Sequence, residues 1–552
     1  MEKMMWLKKT IAVLLAGGML FCLFILAGKS FLGDLFVLKW IKTADYTKTC
    51  LYLFSLFIFF MLFLRKEIQK INVHVVVLIS FIFIFFSVFQ YDYYPLAIEA
   101  DGVGYFAYLH SMYFDHDLRF KNEYRELHAA RYGVYGWISE KGKELYPMLH
   151  RTKRQPNAFS IGPSLLWYPF YTLADLINQN DPRGERGYGP IYLNIVRFSH
   201  IVYGLLAAIL LYFTLIAFFR PGTSFLTVLF VLFLSPTYYY IKSQTFYSHI
   251  PSFFAISLFL FIFSRVRNNS SYLYWAAMGS SIGFAALMRW QNAVLLLLPI
   301  FYFCFYWFKN KINVIKMFRQ EISKIMIFLV SFFVFCLPQL IAFKIIYDSY
   351  FLIPQGDSFL SAFPFWIVQT LFSSFHGLFY WHPVLILGVI GFFIKYRGLD
   401  RNSSVRNFFY TNALGFSFQT YINSSMWQYW AGSSFGARRF IDALGFLALG
   451  IANFLEMIWQ NRALRMLFIP LFYLLFFFNV FLEKAYTWSM ILHNSPVSWW
   501  QMFSACSKAF PFLYDTYPRM IYFLFLFVIA MTLVAMHLFR SPVHEFGEGS
   551  RL

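Results

Sequence analysis

The sequence predicts an all-α polytopic membrane protein of about 12–14 transmembrane helices with one large outer loop. Three observations lead there. Of the 552 residues, 59% are hydrophobic and only 13% charged, against roughly half and a quarter in a soluble domain. The apolar residues fall in continuous runs of about twenty, enough helix to cross ~30 Å of hydrocarbon, whereas barrel strands alternate over about ten. The charge is also unevenly placed. The net charge is +20, and the short hydrophilic breaks between runs hold 22 of the 46 Lys and Arg but only six of the 26 acids. The positive-inside rule places those breaks in the cytoplasm and accounts for the basic balance without nucleic acid. Composition excludes a soluble enzyme and a disordered chain.

The elements follow in order. An apolar run from Ile11 to Ala27 follows Lys8 and Lys9. It has the outline of a signal peptide without a small-x-small cleavage pattern, and so reads as an uncleaved anchor. With runs at 49–64 and 72–90 it makes an N-terminal unit, 1–90. The next unit, 190–552, carries runs at 190–219, 222–241, 247–264, 272–288, 291–308, 325–346, 376–394, 405–425, 441–459, 464–482 and 519–539. Alternation puts both termini in the cytoplasm. The segment between the units, 91–189, then lies outside and contains nine acids from Asp92 to Glu144. Within it, residues 160–177 are apolar but interrupted by two prolines, which predicts an interfacial or dipping segment. Smaller outer loops are expected near 346–375, 426–440 and 483–518. Five scattered cysteines without CxxC spacing suggest neither a metal site nor a disulfide framework.

Chemistry is expected in the outer segments. Glu99-Ala-Asp101-Gly-Val-Gly104 places two carboxylates and two glycines directly after the third run. Asp101 either caps the helix that follows, where an acid is favoured, or acts chemically, with a ligand able to approach the glycine backbone. The spacing of Tyr105, Tyr108, Leu109, Met112 and Tyr113 predicts an amphipathic interfacial helix. Asp115, His116 and Asp117 offer ligands for a cation or simply a solvated face. Arginines at span ends form a second group: Arg289, and Arg438 with Arg439 after the turn Gly432-Ser-Ser-Phe-Gly436. Charge at membrane depth snorkels, pairs or binds something. Two guanidiniums beside a glycine-rich turn suit a phosphate, and a charge pair with Asp442 is the alternative. The stretches Gln244–His249 and His376–Pro383 are anchors or site residues in equal measure.

One reaction uses such a set. A sugar on a lipid phosphate has a leaving group that is already a stable anion, so it needs cationic stabilisation rather than a general acid. The acceptor hydroxyl needs one carboxylate base, unlike the paired carboxylates of a glycoside hydrolase. No cofactor is expected; a phosphate already neutralised by arginine would not require a metal, and a divalent cation is compatible with the set but unsupported by it.

The ordered stretches Asp101-Gly-Val-Gly-Tyr-Phe-Ala-Tyr108, Phe114-Asp-His-Asp-Leu118, Asn122-Glu-Tyr124, Asn157-Ala-Phe-Ser-Ile-Gly-Pro163, Gly283–Arg289, His376–Pro383 and Gly432–Phe440 resemble bacterial GT-C type glycosyltransferases. These are polytopic enzymes such as the protein O-mannosyltransferases and the aminoarabinose lipid A transferase. The resemblance implies a polyprenyl-phosphate sugar donor and a glycan, lipid or protein acceptor, with transfer inverting and located at the outer face of the inner membrane. It makes Asp101 the base, with Glu99 as alternative. Arg438, Arg439 and Arg289 would hold the phosphate, and Tyr105 and His249 would contact substrate. Three runs precede the loop here, where the well-known relatives have one. The Trp-Trp-Asp-Tyr-Gly motif of oligosaccharyltransferase subunits is absent. Two other readings compete. A flippase of lipid-linked glycans calls for repeat symmetry and broken helices, which the runs do not show, and a glycan polymerase or ligase would share the outer site.

Overall fold

Helices account for almost all the regular structure in the computed structural model, which describes residues 2–32, 46–63, 68, 71–88, 98–127, 151–178, 186–266, 271–309, 314–356, 359–394, 403–516 and 518–539. Among these residues the only β feature is an isolated bridge between Leu360 and Met426. The basic breaks at 65–67, 395–401 and 540–551, and the loop stretch 128–150, fall outside the described residues.

The apolar runs become α1 (Glu2–Leu32), α2 (Tyr46–Phe63) and α3 (Val73–Ser87). The long loop contributes α4 (Asp101–His110), α5 (Lys121–Glu126) and α6 (Gly162–Asn178). There follow α7 (Pro190–Leu215), α8 (Pro221–Phe233), α9 (Thr237–Lys242), α10 (His249–Val266), α11 (Tyr272–Met288), α12 (Leu297–Lys309) and α13 (Val314–Tyr347). The remainder are α14 (Ile367–Phe372), α15 (Leu378–Trp381), α16 (Ile386–Phe393), α17 (Ser403–Ser425), α18 (Ile441–Gln460), α19 (Arg462–Thr487), α20 (Trp499–Thr516) and α21 (Pro518–Leu538). Among the described residues, six helices are long and apolar enough to cross a membrane, and six more apolar helices are shorter. The protein is an all-α polytopic membrane protein.

Three expectations change. The run 222–241 is not one span. Pro236 has no N–H to donate, and Ser235 turns its hydroxyl back to the Val231 carbonyl, so the helix stops after Phe233 and restarts as α9. Pro383 likewise divides 376–394 into α15, a 3-10 turn and α16. The 483–518 region contains an entire helix, α20, packed on α19.

Position in the bundle follows composition. The window around α18 is 89% buried and that of α13 only 17%, so α18 is the central helix and α13 faces outward. α18 packs on α8, α10, α16, α17 and α19. Small residues allow this, because close approach of backbones replaces the hydrophobic drive that lipid removes. A Cβ on Gly391 would overlap the Gly450 carbonyl, and one on Gly279 would overlap that of Phe328.

Candidate active site

α4 sets the position of Asp101. Ala100 occupies its N-cap with φ 47°, and no side chain caps the helix. Asp101 stands in the first turn with its carboxylate turned elsewhere, so the capping alternative does not hold. A non-glycine residue with positive φ is costly, and such strain collects at functional sites. α4 is also not interfacial, since every residue from Gly102 to His110 is buried. What covers it is the segment 157–164. Asn157 Nδ2 donates to the Gly104 carbonyl at 2.8 Å, and Ser164 Oγ donates to that of Tyr105 at 2.6 Å. The segment is itself anchored on α13, where Tyr347 Oη accepts from Asn157 N at 2.9 Å and Gln339 Oε1 accepts from Ile161 N at 2.8 Å. A side chain on Gly104 would drive into Phe159.

The arginines are presented by the turn before α18. Ala431, Gly432 and Gly436 all take positive φ, at 60°, 70° and 59°. His376 Nδ1 donates to the Trp430 carbonyl at 2.9 Å and lies 3.1 Å from Ser434 Oγ. The His376–Pro383 stretch therefore braces this turn. Arg438–Phe440 then forms a 3-10 turn rather than α-helix. The helical stacking of residues four apart does not apply there, and Arg438 points away from Asp442.

The pairing expected among these charges is accordingly corrected. Arg438 Nη2 meets Asp101 Oδ2 at 2.9 Å, while Asp442 Oδ2 meets Arg289 Nη1 at 3.1 Å. Arg289 Nη1 also donates to His249 Nδ1 at 2.9 Å, and Arg289 Nη2 to Gln291 Oε1 at 3.2 Å. A guanidinium has no acceptor, so Nδ1 of His249 is unprotonated. Arg439 Nη1 donates to the Gln428 carbonyl at 2.6 Å and has no carboxylate partner among the described residues. Tyr105 Oη donates to Ser248 Oγ at 2.8 Å. Burial, reinforced by the Asp101 charge, pushes that phenol up to about 12. The Arg438 guanidinium lies 5.0 Å from the centre of the Tyr247 ring, a cation–π distance.

All seven residues singled out in the sequence line one cavity of about 990 Å³: Glu99, Asp101, Tyr105, His249, Arg289, Arg438 and Arg439. Glu99 is exposed, whereas Asp101 keeps 32% of its side-chain area. Sequence reasoning missed Arg197 and Lys242, which line the same cavity. Arg197 sits inside the run 190–219 and Lys242 directly follows the run 222–241, and an ionisable residue within or at the end of a run was the signal available. Five cationic side chains thus face two carboxylates, so the space is receptive to an anion. Asp117, weighed as a cation ligand, instead accepts from Ser111 Oγ at 3.0 Å and Arg119 N at 2.9 Å, and His116 is exposed.

No family model matches the chain, and no curated protein matches it. Among solved structures it is similar to the crystal structure of ArnT from Cupriavidus metallidurans bound to undecaprenyl phosphate. Identity is 13% and the TM-score 0.47, over 87% of this chain and 75% of that one. The likeness is one of fold.

Proposed function

We propose that the protein is a membrane glycosyltransferase that moves a sugar from a polyprenyl-phosphate donor to an acceptor at the outer face of the inner membrane. The observation that carries this reading is the Asp101–Arg438 pair on the wall of a cationic cavity. A general base and a phosphate-binding arginine are held within one hydrogen bond of each other.

The pair suggests how the step is controlled. Without donor, Arg438 occupies Asp101. A donor phosphate offers Arg438 a competing anion and releases the carboxylate. Asp101 then takes the proton of the acceptor hydroxyl as its oxygen forms the new bond to the anomeric carbon. The bond from that carbon to the phosphate oxygen breaks, and its electron pair stays on the phosphate, balanced by Arg438 and Arg439. Attack opposite the leaving group inverts the anomeric centre. Arg289 is tied to Asp442 and serves as a fixed, neutralised ion pair on the cavity wall.

A flippase of lipid-linked glycans is the second reading, favoured by one observation. The broken helices α8–α9 and α15–α16 contradict the continuous runs expected, and discontinuous helices are a transporter feature. Lipid extraction separates the first reading from an unrelated role. Mass spectrometry of lipid co-purifying with wild-type protein is expected to show a polyprenyl phosphate or its sugar conjugate, lost in Arg438→Ala/Arg439→Ala. Bulk phospholipid alone, unchanged in the variant, would remove the phosphate site. Movement of a labelled glycan lipid across liposomes without transfer would move the assignment to the flippase.

A further inference from the structure

The far end of α4 carries a second group of ionisable residues that the transfer reaction does not use. His110 ends the helix, roughly 13 Å from Asp101 at about 1.5 Å per residue. The five residues that follow, Ser111–Asp115, form a π-helical turn, a rare distortion found often at functional sites. That turn brings Asp115 back beside His110, and α5 delivers Glu123 from the other side. His110 Nδ1 lies 3.1 Å from Glu123 Oε1 and 3.8 Å from Asp115 Oδ2, with one ligand atom of each residue within 4.8 Å of the others.

The hydrogen bonds around the group show what is missing from it. His110 Nε2 is 3.2 Å from the Arg186 carbonyl. A carbonyl only accepts, so Nε2 carries a proton, and Nδ1 is the ring nitrogen turned toward the two carboxylates. Among the described residues the only ion-pair partner of Asp115 or Glu123 is His110 itself. Glu123 is fully buried, and its Oε2 has no hydrogen-bond partner. An unpaired carboxylate oxygen inside a protein is expensive. Asn122 Nδ2 donates to Asp115 Oδ2 at 2.7 Å and to Glu123 Oε1 at 3.2 Å, orienting both acids. The Tyr188 ring stacks on His110 at 4.2 Å and Phe114 lies 5.2 Å away, closing the site with apolar surface.

We propose that His110, Asp115 and Glu123 bind a divalent transition-metal ion of the zinc class that pins the C-terminal end of α4 to α5. One imidazole nitrogen with two carboxylates suits zinc better than calcium or magnesium, which take all-oxygen sets. The spacing agrees: ligands about 2.1 Å from a tetrahedral ion stand roughly 3.4 Å apart, between the two distances observed. The ion's charge balances both carboxylates and satisfies the Nδ1 lone pair. The Arg186 carbonyl and Asn122 provide the outer contacts that fix ligand orientation. Three protein ligands leave a fourth position for water. With the ion about a helix length from Asp101, its role is structural, and the inference stands whether or not the transfer reaction is correct.

The test uses the full-length protein in nanodiscs with its affinity tag removed. It is stripped with EDTA, incubated with Zn²⁺, desalted and measured by inductively coupled plasma mass spectrometry. The wild type should retain about one zinc per chain. Asp115→Asn and Glu123→Gln should each lower zinc affinity at least ~10-fold. Zn²⁺ should raise the unfolding temperature of the wild type and not of Asp115→Asn. Asp115 is exposed, so that variant should fold, and an unchanged metal-free unfolding temperature confirms it. Zinc at blank level in the wild type, or equal retention by folded Asp115→Asn, overturns the proposal. In that case the group is an imidazolium between two carboxylates.

Discussion

Asp101 and Asp442 each meet an arginine at nearly the same distance, 2.9 and 3.1 Å, in opposite surroundings. Asp442 is fully buried on the central helix, and its Arg289 is shared with His249 and Gln291. A polar cluster continues behind it, where Asn292 Nδ2 donates to Ser252 Oγ at 2.8 Å and Gln419 Nε2 to Asn292 Oδ1 at 2.8 Å. Asp101 keeps about a third of its side chain open to the cavity, and its N-cap backbone is strained. A buried pair gains little over an apolar core but is costly to break. The Asp101 pair is open on its carboxylate side alone, Arg438 being as buried as Arg289, so its partner can be exchanged only for another anion entering from the cavity. The same contact therefore serves as a fixed charge at one position and as a switchable one at the other.

Asp101→Asn breaks the comparison at its open end. It keeps the shape and removes the base, so transfer should fall by about 10²–10⁴-fold, the range of general base catalysis. The unfolding temperature should fall less than in Asp442→Asn, because Arg438 keeps the asparagine carbonyl as an acceptor on the side open to the cavity. Single-turnover transfer with purified donor measures the first, and a thermal melt the second. Wild-type turnover in this variant would remove Asp101 from the reaction.

Asp442→Asn breaks it at the closed end, with the balance of effects reversed. It leaves the buried Arg289 charge without its counter-ion, which costs about 3–5 kcal/mol of stability. Denaturation in mixed micelles should show that loss, and activity should fall only in step with the folded fraction. Retained stability with abolished transfer would make Asp442, rather than Asp101, the reactive carboxylate.

The neighbouring arginines sharpen the contrast. Arg438→Ala removes the group that reaches the reacting position and should weaken donor binding by about 10–100-fold, the worth of a hydrogen bond to a charged group. Arg439, held by the Gln428 carbonyl, should contribute less, about tenfold or below. Equilibrium binding of a fluorescent polyprenyl phosphate ranks them. Equal losses would mean that the phosphate bridges both side chains.

Much of this was legible in the chain. Apolar run length and break charge predict the helical membrane fold, and carboxylates and arginines beside glycines at run ends predict the cavity lining. Pairing was less legible. Arg289 and Asp442 are 153 positions apart, and Arg438 is separated from Asp101 by more than three hundred. Nothing local specifies which partner each takes. Whether 438–440 is 3-10 or α decides it, and that is set by the positive-φ turn packed under His376. The burial of α4 was illegible for the same reason, because the 157–164 segment covering it comes from a distant part of the loop. Pro236 and Pro383 were visible as helix breakers, but the apolar residues on either side read as one run.

The smallest effect should come from Glu99, the other carboxylate on the cavity wall. Glu99 and Asp101 are two residues apart, so composition alone cannot choose between them as base. Geometry does choose. Glu99 precedes the strained Ala100, is exposed, and has no arginine partner among the described residues, whereas Asp101 opens α4 and faces Arg438. A solvated carboxylate away from the phosphate-binding arginine has no reason to be freed when donor arrives. Glu99→Gln should therefore retain transfer within about threefold and shift donor binding slightly tighter, since one negative charge leaves an anion-binding cavity. The measurement is the same single-turnover assay, with Asp101→Asn beside it. A large loss in Glu99→Gln with near-normal Asp101→Asn would exchange their roles. The Asp101–Arg438 contact would then be a second fixed pair like that of Asp442.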